Sequence, residues 1–190
     1  MTSLDPHVPL VLDVRDLGRR AGAMKTKTFN VTLVEELGIG VISVAQDSEV
    51  EFDLRLESVM EGVLVTGTAL VTVTGECSRC LEPLSYDLEV DLQELYEYPD
   101  TDHRGRVVED ELDNEDVLKV EDDLIDLEPL LRDAVVLALP IQPLCKSDCL
   151  GLCVECGQNL NEQPEHQHEI TDPRWSALAD LTRPEPRSQD

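Results

Sequence analysis

Apolar and polar residues alternate along Val50-Glu51-Phe52-Asp53-Leu54-Arg55-Leu56-Glu57. This is the period-2 pattern of a strand with one face in a core and the other in water. A second run, Val63 to Thr74, is rich in Val and Thr, and Met60-Glu61-Gly62 between the two offers a glycine for a tight turn. Together they predict a β-hairpin. Alternation returns over Leu84-Ser85-Tyr86-Asp87-Leu88-Glu89-Val90-Asp91-Leu92, which predicts a third antiparallel strand and puts the residues between Gly75 and Leu84 at a strand-to-strand turn. Near Leu124 the period becomes helical. Leu127, Leu130, Leu131, Ala134, Val135, Ala138 and Leu139 share one broad face, Asp126 stands where an N-cap is wanted, Pro129 falls in the first turn, and Pro140 ends the helix. The expected fold class is α+β: a hairpin-rich antiparallel β-sheet with one main packed helix and a small cysteine-rich loop able to form a zinc site.

The rest of the chain divides by composition. Residues 1–24 read as an N-terminal segment, 25–161 as the folded domain and 162–190 as a polar C-terminal tail, in which Trp175, Leu178 and Leu181 are spaced for a short helix over 173–181. The opening is mildly basic, with Arg15, Arg19, Arg20, Lys25 and Lys27 against Asp5, Asp13 and Asp16. From Asp87 to Glu128 there are 18 acidic and three basic residues, with few apolar ones between 100 and 116. Such a charge block cannot offset the entropy of ordering, so a mobile acidic loop is expected at about 100–123. No repeat of solenoid or propeller period is present.

Charge narrows the function classes. The 190 residues carry a formal charge of −26 with 3 % aromatics, so the chain repels a phosphate backbone and offers few rings on which bases can stack. Autonomous, non-specific nucleic-acid binding is excluded as a first reading. The start has no positive n-region and no apolar run of signal or membrane-spanning length, which predicts a soluble cytoplasmic protein without membrane contact. Gly38-Ile39-Gly40 lacks the third glycine and the helix of a dinucleotide site, and neither a P-loop nor a G-x-S-x-G is present. The carboxylates from Glu109 to Asp126 fall in the unpacked run without a positioned partner, so they read as solvated rather than catalytic. No catalytic residue is assigned.

The cysteines carry the chemistry. Cys77, Cys80, Cys145, Cys149, Cys153 and Cys156 are six thiols in a reducing compartment, which favours metal ligation over a disulfide framework. Cys77-Ser78-Arg79-Cys80 and Cys153-Val154-Glu155-Cys156-Gly157 both have the C-x2-C spacing at which a tight turn points two thiolates at one cation. One structural Zn2+ held by four of the six is expected, because the ligands are soft and a four-thiolate site leaves no open position for chemistry. Three quartets remain open: both C-x2-C pairs together, the local set from Cys145 to Cys156, or Cys77 and Cys80 with two of the last four. His166 and His168 can also ligate zinc, but their polar flanks and spacing from Cys156 place them in an exposed tail. A thiol redox centre is the rival use, although Cys77 follows a strand where a redox C-x2-C opens a helix.

At these residues the sequence resembles the YceD family, whose members are linked to accumulation of large-subunit (23S) ribosomal RNA. The resemblance rests on Glu76-Cys77-Ser78-Arg79-Cys80-Leu81, on Ile125-Asp126-Leu127-Glu128-Pro129 leading to Leu139-Pro140, and on Cys145 through Cys156-Gly157-Gln158-Asn159-Leu160-Asn161, spanning about residues 25 to 161. It implies a bacterial cytosolic protein, with relatives in plastids, that supports production of the large ribosomal subunit; with no catalytic residue to carry over, a non-enzymatic factor is expected. Charge then suggests the partner: an acidic chain attracts cations, so a basic large-subunit ribosomal protein is expected, with 23S rRNA or a pre-50S particle affected indirectly. Family members are often encoded beside a small zinc-ribbon ribosomal protein, the candidate client. An RNA-processing hydrolase or a thiol oxidoreductase is the alternative from the enzyme class, and contact with a pre-ribosomal particle through the basic opening is another.

Overall fold

The structure, a computed structural model, describes residues 4–99 and 117–168. The short helix expected over 173–181 and the acidic residues 100–116 lie outside them. In chain order the elements are β1 (Val11–Asp13), a single 3-10 turn (Arg15–Leu17), β2 (Met24–Thr32), β3 (Leu37–Ile39), β4 (Ile42–Val44), β5 (Glu49–Ser58), β6 (Gly62–Glu76), β7 (Pro83–Glu97), β8 (Leu124–Asp126) and α1 (Glu128–Ala138). The class is α+β, with every strand-to-strand ladder antiparallel.

The long strand β6 organises the main sheet. One of its edges pairs with β5 over Val63–Val71 and then with β4 at Thr74 and Gly75, while the other pairs with β7 along its full length. Beyond β5 lies β2, and beyond β4 lies β3. The hairpin read from the alternation is present: Val59 N–H donates to the Gly62 carbonyl at 2.9 Å to close its turn. Gly62 is required there, since a β-carbon would meet the Tyr96 carbonyl oxygen at 2.0 Å.

Alternation separates two sheet faces. Val50, Phe52, Leu54 and Leu56 of β5, Val63, Val65, Ala69, Val71 and Val73 of β6, and Val90, Leu92 and Tyr96 of β7 are all buried. They join Leu130, Leu131 and Val135 of α1 in one hydrophobic core. The helix packs against β7 and β3. Its entry is fixed twice: Glu128 N–H donates to Asp126 Oδ1 at 2.9 Å, and the buried Tyr96 hydroxyl donates to the Asp126 carbonyl at 2.8 Å. The N-cap is therefore Leu127 and not the expected Asp126, because Leu127 accepts the first intrahelical bond from Leu131 N–H, and Asp126 supports the first turn from the residue before it. At the other end Leu139 is extended, as a residue before proline must be.

Two segments are more ordered than their composition suggests. In the opening segment β1 pairs with β8, and Leu10, Val14 and Leu17 enter the main core. Residues 117–123, on the margin of the acidic run, are also packed. Val120 is 1 % exposed, and backbone bonds join Leu118 and Val120 to Glu97 at the end of β7. Among the described residues no helix is long and apolar enough to cross a membrane.

Candidate metal centre

The strands β6 and β7 end at the first cysteine pair, and the turn between them is built from backbone bonds. Leu81 N–H donates to the Cys77 carbonyl at 2.9 Å, and Cys77 N–H donates to the Glu82 carbonyl at 2.9 Å. Closing the turn puts Leu81 at φ +60°, a conformation that glycine adopts without strain and leucine does not. The thiols of Cys77 and Cys80 project into a small cluster with Cys149, Leu84 and Leu152, which meets the main core at Leu84.

Two contacts bring the segment after α1 onto this turn. Ser78 N–H donates to the Pro143 carbonyl at 2.8 Å, and the Arg79 guanidinium donates to the Cys149 carbonyl at 2.9 Å. The Sγ atoms of Cys77, Cys80, Cys145 and Cys149 then lie within 4.8 Å of one another. Cys77 is 3.8 Å from Cys149, and Cys80 is 3.6 Å from Cys145. A zinc–sulfur bond of about 2.3 Å sets the edge of a regular four-sulfur tetrahedron at about 3.8 Å. These spacings fit that edge and are far too long for disulfides, and all six cysteines are free.

The electrostatics of the four thiols suit a cation among them. Burial opposes ionisation of Cys77, yet the backbone N–H groups of Cys145, Cys80 and Arg79 outweigh it and bring the thiol down to about 6. Cys149 is lowered too, chiefly by the Asn161 amide, whose Nδ2 donates to its sulfur at 3.3 Å. Cys80 rises although the Glu82 backbone N–H draws it down, because burial and the neighbouring thiols prevail. Desolvation, reinforced by Cys80, Cys149 and Cys77, pushes Cys145 up to about 12. Four sulfurs this close cannot all ionise alone. A divalent cation among them removes the conflict, and soft thiolates select a metal of zinc's class.

Of the three quartets open from sequence, the structure brings together the mixed one, Cys77 and Cys80 with Cys145 and Cys149. Neither the two C-x2-C pairs together nor the local set from Cys145 to Cys156 converges. Cys153 and Cys156 instead face His166 and His168, the four ligand atoms again lying within 4.8 Å of one another. Both histidines were expected in an exposed tail; His168 is exposed and His166 half-buried, but the two are gathered against the second cysteine pair. Pairs along the chain between Leu152 and Asn159, and a bond from Leu160 N–H to the Gly151 carbonyl at 2.9 Å, fold the segment back. Sequence reasoning also gave no role to Asn161. Its position in the Gly157-Gln158-Asn159-Leu160-Asn161 run was the available signal.

Residues 65–182, which contain both C-x2-C pairs, the helix and both histidines, match the family described as "Large ribosomal RNA subunit accumulation protein YceD". The chain belongs to the YceD family. It is 44 % identical over 177 residues to a protein of Mycobacterium tuberculosis (strain ATCC 25618 / H37Rv), covering 93 % of this chain and 83 % of the relative. A Mycobacterium leprae protein is 38 % identical over 177 residues, 93 % of this chain and 79 % of the relative. A Zea mays protein named "Large ribosomal RNA subunit accumulation protein YCED homolog 1, chloroplastic" is 25 % identical over 204 residues, 84 % of this chain and 69 % of the relative. No solved structure matches the chain. YceD membership supports a role in ribosome biogenesis, and the cysteine geometry gives this member a site able to hold a metal.

Proposed function

We propose that this chain is a non-enzymatic ribosome-biogenesis factor that promotes 23S rRNA accumulation by binding a basic large-subunit ribosomal protein in the cytoplasm, with one Zn2+ at Cys77, Cys80, Cys145 and Cys149 fixing its architecture. The observation that carries the partner is the outer face of the main sheet. Register aligns Glu51 and Asp53 of β5 with Leu70 and Thr68 of β6, and these with Glu89 and Asp91 of β7, while Glu49, two residues before Glu51 on its strand, and Asp87, opposite Thr72, lengthen the two rows. Six exposed carboxylates therefore flank a neutral row on one surface. Neighbouring strands lie about 4.8 Å apart, so the two carboxylate rows stand about 10 Å from each other, close enough for one basic segment to meet both.

Most cations of the basic opening are already engaged. Lys25 pairs with Asp16 at 3.0 Å, Arg19 with Asp123 at 3.1 Å, and Lys27 donates to the Asp13 carbonyl at 2.6 Å. This supports the acidic face over the basic opening as the contact. A zinc held by four thiolates brings +2 against −4, so metal loading leaves the chain no more attractive to RNA. It also presents no open coordination position to a substrate, which supports a role without catalysis.

Immobilised zinc-loaded chain is offered a basic large-subunit ribosomal protein and a 23S rRNA fragment separately. The ribosomal protein should be retained, with retention falling steeply as salt rises. The triple charge reversal Glu51→Lys, Asp53→Lys and Glu89→Lys should weaken it by about tenfold or more. Retention of the RNA without any basic protein sinks the proposal.

A further inference from the structure

The second C-x2-C pair repeats the backbone of the first, bond for bond. Gly157 N–H donates to the Cys153 carbonyl at 2.8 Å, as Leu81 does to Cys77, and Cys153 N–H donates to the Gln158 carbonyl at 2.8 Å, as Cys77 does to Glu82. Gly157 has φ +75° where Leu81 has φ +60°. The chain thus makes the same two-thiol turn twice, and only one copy is used by the four-cysteine cluster.

Two imidazoles complete the second copy. His166 Nε2 and His168 Nε2 each lie 3.1 Å from Cys156 Sγ and 2.8 Å from each other, with the rings edge to face at 84°. Hydrogen bonding alone does not account for such a triangle. Each atom sees its two partners at about 60° to one another, whereas a hydrogen bond prefers an angle above about 150°, so one N–H cannot serve both. A shared cation at the centre serves all of them. Relaxed zinc bond lengths give edges of about 3.6 Å for S···N and about 3.3 Å for N···N, so an ion would spread the group by about half an ångström.

The outer side of the site agrees. The other ring nitrogen of His168, Nδ1, faces the Glu155 carboxylate at 3.6 Å. Carboxylates in this position orient metal-ligating histidines and raise their basicity. Glu155 lies inside the same C-x2-C turn.

We infer that Cys153, Cys156, His166 and His168 form a second zinc site, of two thiolates and two imidazoles, distinct from the four-cysteine site. The two differ in access. Of the first four ligands only Cys145 is exposed and the rest are buried, whereas Cys156 and His168 are exposed and Cys153 and His166 half-buried, so the second ion lies nearer solvent and exchanges faster.

The test is metal content of the full chain, purified with zinc and desalted, by elemental analysis and native mass spectrometry. His166→Ala with His168→Ala, both near the surface, should lower the content by one ion per chain. Cys153→Ser, a second route to the same site, should do the same. After cobalt substitution, the histidine double variant should lose the absorption of a mixed sulfur–nitrogen centre and keep that of a four-thiolate one. Failure of the four-cysteine site would show separately, as no loss of metal in Cys77→Ser with Cys80→Ser. Unchanged metal content in the histidine double variant overturns the second site.

Discussion

Replacing Asn161 isolates what a residue beyond the ligands does for the four-cysteine centre. Its amide Nδ2 donates to Cys149 Sγ at 3.3 Å and to Asn159 Oδ1 at 3.0 Å, and its own Oδ1 accepts from Leu150 N–H at 3.0 Å. Asn161→Ala removes the donor that holds the Cys149 thiolate charge. Loss of such a supporting contact costs about 10–100-fold in metal affinity, which converts to about 1.4–2.7 kcal/mol. The freed Leu150 N–H is at the surface, where water replaces the lost partner. Asn161→Asp keeps an oxygen for Leu150 but sets a carboxylate against the thiolate, so it should weaken zinc at least as much as alanine despite being nearly isosteric. The assay is competition between zinc-loaded full chain and a chelator of known affinity, following the more tightly held ion. Zinc affinity within twofold of wild type in both variants would refute the role given to the amide.

Two further substitutions probe the scaffold. Tyr96→Phe removes a buried hydroxyl and leaves the Asp126 carbonyl without it, so the urea midpoint should fall by the equivalent of about 1–3 kcal/mol with an unchanged slope. Burial, aided by Asp126 and Glu94, holds the Tyr96 phenol above its ordinary range. The unfolded phenol therefore ionises first, and wild type should lose stability as pH climbs above about 10. Urea titrations there should show a shallower loss in Tyr96→Phe. Gly67→Ala would bring a β-carbon to 2.1 Å from the Asp53 carbonyl oxygen at φ +152°. Overpacking and backbone strain of about 1–3 kcal/mol each predict a loss of roughly 2–6 kcal/mol, and a thermal melt within about 2 °C of wild type would contradict it.

Where the pattern was long, the sequence was sufficient. The alternation of Val50 to Glu57 marks β5 almost to the residue, and Pro140 stops the helix where expected. The strand β2 escaped because the sheet's inner side at its edge is lined by Lys25 and Lys27 before Phe29 and Val31. Long basic side chains there lay their stems along the edge and obscure the period. Three-residue strands such as β1 and β8 are too short to show any period at all. The cysteines were legible as candidate ligands but not as sets, because both C-x2-C spacings are identical. What assigns them is long-range docking: the Pro143 carbonyl on Ser78 and Arg79 on Cys149 bring one segment to the first turn. The histidines at i and i+2, ten residues past Cys156, gave no spacing that sequence reasoning could weigh against a solvated tail.

The small size of the cluster of Cys77, Cys80 and Cys149, which touches the main core at Leu84, has a consequence for how the molecule answers its surroundings. The sheet and helix keep a greasy interior of their own, whereas the region from about Pro143 onward has a few hydrogen bonds to the first cysteine turn and whatever ion the sulfurs grip. Starved of metal, the protein should keep its body and lose its head. The share of intact copies would then follow the supply of that metal.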